Sequence, residues 1–464
     1  MSGDQWSVEA EFSGAELGDR RRVRRLMELA RALDEKPDAS YPDATVTEAG
    51  LEGAYRLLGN EAVSADGILA GHYEQTVERA CNEEWVVAVH DTTPFQFSGE
   101  SRSGLGKLYG KGNGFFGHFT LLVAPGEIRR PLGVLGLQTV VRKKLRGNAT
   151  RRPPETVSES VRWQRGVELA EQRVNGRCSL IHVTDREGDS YELWAAMVVS
   201  RHRFVIRNRI DRLLVDEAKL RLSDVLANAK TVVERTVELS ARKEAKIVFT
   251  RKQHPPRRAR VAKLALSAVS VEIRRPNIAP KHLPESLVIN VVRVREVETH
   301  GENQPVEWML ATTEPIDTAE DLGRIVDAYR ARWVIEEYFK AIKTGCAFEK
   351  RQLERMHTLL NALAVFIPIA WRLLLLRTLA RDASEEPASA ALTDTQLAVL
   401  CATAKPPLPL TLTVRDAMLA VARLGGHIKN NGEPGWAVLG RGFQKLLARE
   451  EGWIAARAAR SDQS

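Results

Sequence analysis

Two aspartates directly follow apolar runs, Asp91 after WVVAVH and Asp185 after SLIHVT. Such runs predict strands covered on both faces. Each carboxylate is therefore expected at the C-terminal end of a strand, the edge where α/β sheets hold ligands. A lone Asp there is also a common helix cap or turn residue. Two of them on neighbouring strands weaken that reading without removing it. A third carboxylate comes from the segment YRARWVIEEYFKAIK, Tyr329 to Lys343. At about 100° per residue, Tyr329, Arg332, Glu336 and Lys343 fall in a stripe about 60° wide. Ala331, Ile335, Tyr338, Phe339 and Ile342 form an apolar stripe beside it. Glu337 points about 100° away from Glu336, which makes Glu336 the candidate. The same stripe also reads as a surface ion-pair ladder from Arg332 to Glu336.

Three carboxylates with Arg and Lys nearby suit phosphodiester chemistry. Carboxylate oxygens are hard donors that favour Mg²⁺. Two such ions about 3.5–4 Å apart can activate an attacking oxygen and stabilise a leaving one. Cationic side chains at the margin would hold the phosphates. His90, beside Asp91, is expected to point to the other face of its strand.

The elements that must position these residues fall into four regions. Residues 1–75 read as helical. Asp19 is placed to cap a helix through RRRVRRLMELARAL, with Val23, Met27, Ala30 and Leu33 on one face. Arg20, Arg21, Arg22, Arg24 and Arg25 crowd its first turns, against the helix dipole, which suggests phosphate contact or simply a solvated face. Residues 80–210 alternate strands and helices: WVVAV, HFTLLVA, PLGVLGLQTVV, a helix Pro154 to Val174, SLIHVT, a helix at YELWAAMVV, and RFVIR. Residues 210–312 are strand-rich and predict an all-β insertion. They hold KIVFT, a basic turn HPPRRAR, KLALSAVSVEI, SLVINVVRV and EWMLATT, with a bulge expected after Ala268 where the apolar phase shifts. One helix is expected from Ala319 to Lys343, then a buried helix over LLNALAVFIPIAWRLLLL. An Ala- and Pro-rich linker over 381–409 follows, with a last bundle ending near Ala459.

Composition narrows the class. The formal net charge is +8 over 464 residues, which favours an anionic partner such as nucleic acid or reflects a solvated basic surface. Cys81, Cys178, Cys346 and Cys401 form no Cys-x-x-Cys pair, so neither a zinc site nor a disulfide scaffold is expected. The apolar stretch Leu359 to Leu376 contains Asn361, Pro368 and Arg372, which favours a buried helix over a membrane span. Met1 to Gly14 lacks the apolar core of a signal peptide. A cytoplasmic protein with no membrane partner is the expectation.

DREGDSYE at 185–192, with the series Tyr329, Arg332, Glu336 and Lys343, resembles the DDE transposases of bacterial insertion sequences. The resemblance is to the group with the Tyr-Arg-Glu-Lys signature, the Tn-five type of the IS-four family. It extends over nearly the whole chain through FSGAELGDRRR, GAYRLLGN, HDTTPF, FVIRNR, WMLATTEPI and ARLGGHIKN. It implies an α/β fold: an RNase H-like core, a mixed sheet with flanking helices, interrupted by the insertion at about 210–312. That core would span 76–380, between a helical DNA-binding domain at 1–75 and a helical dimerisation domain at 381–464. It implies cut-and-paste transposition through a hairpin intermediate. Partners would be double-stranded transposon ends and target DNA, with a homodimer as the synaptic form. Asp91, Asp185 and Glu336 would hold two Mg²⁺ ions per site, with Mn²⁺ able to substitute. Tyr329, Arg332 and Lys343 would contact the 5′ phosphate and hairpin strand. Arg207 would contact DNA and Trp308 would stack on a flipped base. Arg56, with Arg20, Arg21 and Arg24, would serve end recognition.

Two other classes are weighed against this. A DNA-binding regulator without catalysis would not need the full carboxylate set. A two-carboxylate glycosidase would need an aromatic-rich sugar groove and would not need the basic clusters.

Overall fold

A computed structural model describes residues 6–45, 47–98, 102–108, 112–142, 161–239, 256, 258–297, 305–382, 384–409, 411–428 and 434–461. KIVFT, His254, Pro255 and Arg257 of HPPRRAR, the start of the expected helix from Pro154 and the end of ARLGGHIKN lie outside these residues. Two compact units form. Unit 1 joins residues 1–180 to 333–464, and unit 2 is residues 181–332.

Unit 1 is built on an antiparallel set of strands. β1 (Val86–Phe97) pairs with β3 (Asn113–Val123), and β4 (Pro131–Val140) pairs with the other edge of β3, beside the short β2 (Gly106–Lys107). β1 is longer than its apolar run predicts. Asp91 therefore lies inside the strand, opposite Phe119, and not at its end. The cause is the pairing with β3, which carries β1 on to Phe97.

Helices α1 (Val8–Phe12), α2 (Arg20–Glu35), α3 (Tyr41–Ala44), α4 (Glu48–Leu58) and α5 (Ala65–Ala80) come first. Asp19 caps α2 by accepting a hydrogen bond from the Arg21 amide at 2.8 Å. The buried face of α2 is Leu26, Leu29, Ala30 and Leu33, so Val23 and Met27 are only half-buried. Asp34 shares that face because it pairs with Arg372, and this partner rotates the stripe from the apolar-only expectation.

α6 (Val161–Val174) covers β1 and β3. The apolar stretch near 359–376 lies within α11 (Met356–Asp382), long and apolar enough to cross a membrane and nearly all buried inside unit 1. Its polar residues are satisfied there. The Asn361 amide donates to the carbonyls of Leu58 and Val63 at 2.9 and 3.0 Å. Arg372 meets Asp34 and lies over the rings of Trp6 and Phe443. The Trp371 indole donates to the Pro131 carbonyl at 2.9 Å. The expected linker over 381–409 holds a helix, α12 (Asp394–Thr403), fixed by a Thr393–Gln396 capping box. α13 (Val414–Leu424) and α14 (Trp436–Ser461) follow.

Unit 2 carries a mixed sheet in the order β5 (Leu180–Thr184), β6 (Arg203–Arg207), β10 (Glu307–Thr312), β9 (Ser286–Glu296), β8 (Arg260–Arg274), β7 (Thr231–Leu239). β5 and β6 are parallel, joined through α7 (Tyr191–Val199), and the remaining pairs are antiparallel. The insertion also holds a helix, α8 (Leu222–Asn228). No bulge follows Ala268, since β8 pairs with β9 in unbroken register from Leu264 to Arg274. α8 and α9 (Ala319–Ala331) both pack on β8, and a 15-residue strand covered by different elements along its length changes its buried face without an extra residue. The helix expected from Ala319 to Lys343 is broken. α9 ends at Ala331, Arg332 forms a turn, α10 covers Trp333–Lys340, and a π turn covers Ala341–Gly345.

Candidate active site

In unit 1, strand alternation sorts β1 into two faces. Asp91 opposes Phe119 in the β1–β3 register, so their side chains share a face. Phe119 is fully buried against Tyr338 and Phe339 of α10, at ring separations of 5.7 and 5.6 Å. α10 packs on β1 and carries Glu336, half-buried. Asp91 and Glu336 are thus brought to one side of unit 1. Lys343 joins them: its ammonium donates to the Pro94 carbonyl at 2.5 Å and lies 5.3 Å from the Phe95 ring centre, on the Asp91 face. Burial lowers its proton affinity, partly opposed by Glu349.

Glu337 accepts from Lys340 within α10 at 2.5 Å and from Arg377 of α11 at 3.2 Å. The Arg377 pair ties α10 to α11.

The opposite face of β1 is a buried polar layer. His90 opposes Thr120 and Thr92 opposes His118. The His90 and Thr120 side chains meet at 3.1 Å, and Thr92 Oγ1 meets His118 Nδ1 at 2.9 Å and accepts from Arg162 at 3.0 Å. Gly166 of α6 lies so close that an added Cβ would stand 2.9 Å from His118 Nε2 and 3.0 Å from His90 Nδ1. Burial, then the Arg162 charge, lowers the His118 pKa to about 3. His90 therefore faces away from Asp91. Asp91 itself accepts from the Thr92 amide at 2.7 Å.

In unit 2, Asp185 follows β5 and is half-buried. It accepts from the Glu187 amide at 2.8 Å and so caps the short 3-10 turn Arg186–Gly188. Capping is the bland reading of this residue, and it holds, leaving other carboxylate lone pairs for a second use. Asp189, four residues on, is buried. It accepts from the amides of Arg209 and Ile210 at 2.6 and 2.8 Å and pairs with Arg212. In the sequence Asp189 is only one residue of DREGDSYE, and nothing local marks its partners, which lie 20 to 23 residues away.

Arg207 ends β6 opposite Leu310 and donates to the Glu307 carbonyl at 3.3 Å. Trp308 of β10 is half-buried, its ring 5.2 Å from that of Tyr329 on α9. Tyr329 and Arg332 are both buried. Arg186 is exposed, and burial of part of its side chain, then the Arg207 charge, lowers its proton affinity against the pull of Tyr329 and Asp185. The 3-10 turn Arg186–Gly188 and α9 both pack on β6.

The N-terminal arginines separate. Arg20, Arg21 and Arg24 are exposed on α2, whereas Arg22 donates to the Leu17 carbonyl and Arg25 pairs with Glu28. Arg56 is exposed and pairs with Glu52 at 2.5 Å.

The candidate ligands are carboxylates alone, a set that suits Mg²⁺ or Mn²⁺. Asp91 and Glu336 belong to unit 1 and Asp185 to unit 2. Among the described residues no three His, Cys, Asp or Glu side chains stand close enough together to hold an ion.

Comparison with known proteins bears on these placements. Residues 4–63 match the family model described as "Transposase DNA-binding". Residues 141–366 match "Transposase DDE domain", a span that includes Asp185 and Glu336 and begins after Asp91. A DDE domain implies an RNase H-like core, in keeping with the mixed sheet and flanking helices. Among solved structures the chain matches the piggyBac transposase of a synaptic complex with hairpin DNA, at 9% identity and a TM-score of 0.35, over 79% of this chain and 67% of that one. The chain carries a transposase DNA-binding domain followed by a transposase DDE domain, the two parts of a DDE transposase.

Proposed function

We propose that this is a bacterial cut-and-paste transposase of the Tn-five type in the IS-four family, cytoplasmic, acting as a homodimer on double-stranded transposon ends. The observation that carries the reading is the meeting of α10 with the Asp91 face of β1, which puts Asp91, Glu336 and Lys343 on one side of unit 1. Asp91, Asp185 and Glu336 are the proposed ligands of two Mg²⁺ ions, which Mn²⁺ can replace. When bound, the ions supply activation of the attacking oxygen and stabilisation of the leaving one.

The protein's own residues do the holding. Tyr329, Arg332 and Lys343 bind the 5′ phosphate and hairpin strand, and Trp308 stacks on an unpaired base beside them. Tyr329 and Arg332 are buried in the DNA-free chain, so their engagement needs local opening around α9. Arg207 contacts the DNA backbone, and Arg20, Arg21, Arg24 and Arg56 contact the ends. Residues 381–464 supply dimerisation. In the proposed reaction water nicks one strand, the freed 3′-OH attacks the opposite strand and closes a hairpin, and a second water reopens it. The 3′-OH then attacks a target phosphodiester and displaces a target 3′-OH.

The test uses the full chain with a duplex bearing the inverted repeats that flank its gene. With Mg²⁺ it is expected to yield nicks and hairpins, with EDTA only binding. Asp91→Ala, Asp185→Ala and Glu336→Gln should each abolish cleavage and retain binding, while Glu337→Gln cleaves. Cleavage that survives Asp91→Ala would refute the ligand assignment. Binding without cleavage under every metal would favour a non-catalytic regulator.

A further inference from the structure

Cys81 and Cys178 are far apart in the chain and neighbours in unit 1. α6 ends at Val174, and Asn175 and Gly176 turn the chain through left-handed backbone, with φ of 48° and 72°. The segment 177–179 then runs beside the end of α5 and is held there twice. Arg177 pairs with Glu74 of α5 at 2.6 Å, and the Ser179 carbonyl accepts from the Val86 amide of β1 at 2.9 Å. Cys81, at the C-cap of α5, falls between Glu74 and Val86, and Cys178 falls between Arg177 and Ser179. The Cys81 thiol donates to the Arg177 carbonyl at 3.7 Å, and that carbonyl belongs to the peptide bond that leads into Cys178. Both thiols are free, with Cys81 exposed and Cys178 half-buried.

Two thiols bracketed in this way have a chemistry that a lone cysteine lacks. A thiolate attacks a disulfide sulfur and leaves a mixed disulfide, which a neighbouring thiol then resolves. Exposure divides the roles. Cys81 is open to an incoming reagent. Cys178 is screened: burial first, then the adjoining Cys81, pushes its thiol up to about 11, so it is poorly ionised at neutral pH. The other two cysteines serve as references, since Cys346 is buried and Cys401 is exposed on α12.

We propose that Cys81 and Cys178 form a reversible thiol–disulfide pair that reacts with low-molecular-weight disulfides. The pair goes beyond the transposase reading and does not depend on it. The Cys81 thiolate attacks one sulfur of the reagent RSSR, which forms Cys81–S–S–R and expels RS⁻. The Cys178 thiol gives its proton to solvent, its sulfur attacks the Cys81 sulfur, and a second RS⁻ leaves. Two protein thiols are oxidised to one disulfide, and RSSR is reduced to two RSH when the released thiolates take up two protons. A reducing thiol runs the sequence backwards. Closure staples the end of α5 to the segment that enters β5, across a loop of roughly 100 residues, and stabilises unit 1 by restricting its unfolded chain.

The experiment treats the full-length protein with glutathione disulfide and maps its thiols by peptide mass spectrometry without reduction. A linked Cys81–Cys178 peptide is expected, with a glutathione adduct at Cys401 and Cys346 unmodified. The melting temperature should rise by several degrees and fall back when dithiothreitol is added. Cys178→Ser should hold a stable glutathione adduct at Cys81 and lose the rise in melting temperature. Cys81→Ser should leave Cys178 reacting about tenfold more slowly than Cys401. The pair is overturned if wild-type Cys81 accumulates a glutathione adduct while Cys178 can still be alkylated. It is equally overturned if Cys81 links to Cys81 of a second copy, or if both thiols stay free while Cys401 is modified. The wild-type map decides the matter even where a serine variant fails to fold. None of these readouts involves DNA, so failure of the pair and failure of the transposase reading are separate results.

Discussion

Asp189 shows how much one side chain can hold. Its two oxygens take two backbone amides and the buried Arg212 guanidinium, and that guanidinium lies 4.2 Å from the Trp194 ring centre. The loop after β6 is thereby tied to the turn that carries Asp185. Asp189→Ala strands the Arg212 charge inside unit 2 and is expected to cost about 3–5 kcal/mol. Asp189→Asn keeps an acceptor for the amides and should lose less. Urea unfolding of both variants checks this; equal stability to wild type would mean that water reaches Arg212. Asp185 and Glu336 could be picked out by strand end and helix phase. Asp189 could not, because its partners Arg209, Ile210 and Arg212 lie 20 to 23 residues away and leave no local pattern.

At the scale of elements, the layer between β1, β3 and α6 fixes the strand behind Asp91. It is polar yet buried, and its weak point is protonation. A histidine in the unfolded chain takes a proton near pH 6.5, whereas folded His118 resists until about pH 3. Within that window the unfolded state binds more protons. The contribution of His118 is therefore full above pH 6.5 and falls as pH drops towards 3, by about 1.4 kcal/mol per pH unit. His118→Gln should show a smaller loss of stability than wild type between pH 7.5 and 5. Parallel losses in the two proteins would show that other groups carry the acid sensitivity.

The elements themselves were largely legible: apolar runs marked β3 to β6 and β8 to β10, and Asp19 marked the start of α2. What escaped was set by partners. Pairing with β3 lengthened β1 past Asp91, and Asp34 turned the buried face of α2 towards Arg372. The break at Arg332 and the π turn at Ala341–Gly345 left no trace in a sequence whose helical period runs unbroken. Glu336 and Lys343 are nonetheless found on the Asp91 side, because α10 is held by Phe119 and not by phase alone.

At the scale of the whole molecule, local pattern divides the chain at 75 and 380, but compactness follows long-range pairing. Arg372 reaches back 338 residues to Asp34, and Arg351 reaches 314 residues to the Pro37 carbonyl. Periodicity within a window of 11 to 18 residues cannot register such pairs. The helical character of both ends could be read, while their membership of one unit could not.

Unit 1 is made from two stretches of chain separated by all of unit 2. During synthesis, the first stretch emerges and must then wait while roughly 150 residues are added, about 8–30 s at ordinary elongation rates. Through that interval Phe95 and Phe119 have no α10 or α11 to cover them, and the Asp91 face of β1 is bare. Unit 2, an unbroken stretch, can mature first. Nascent chains halted after Arg332 are expected to show protease-resistant unit 2 and protease-sensitive residues 1–180, with resistance in the latter only once α11 has left the ribosome. Early resistance of residues 1–180 would show that they fold without their second half. On this order of events, α10 reaches the Asp91 face of β1 only in a chain that is nearly finished, so a truncated product lacks the proposed Asp91 and Glu336 pair.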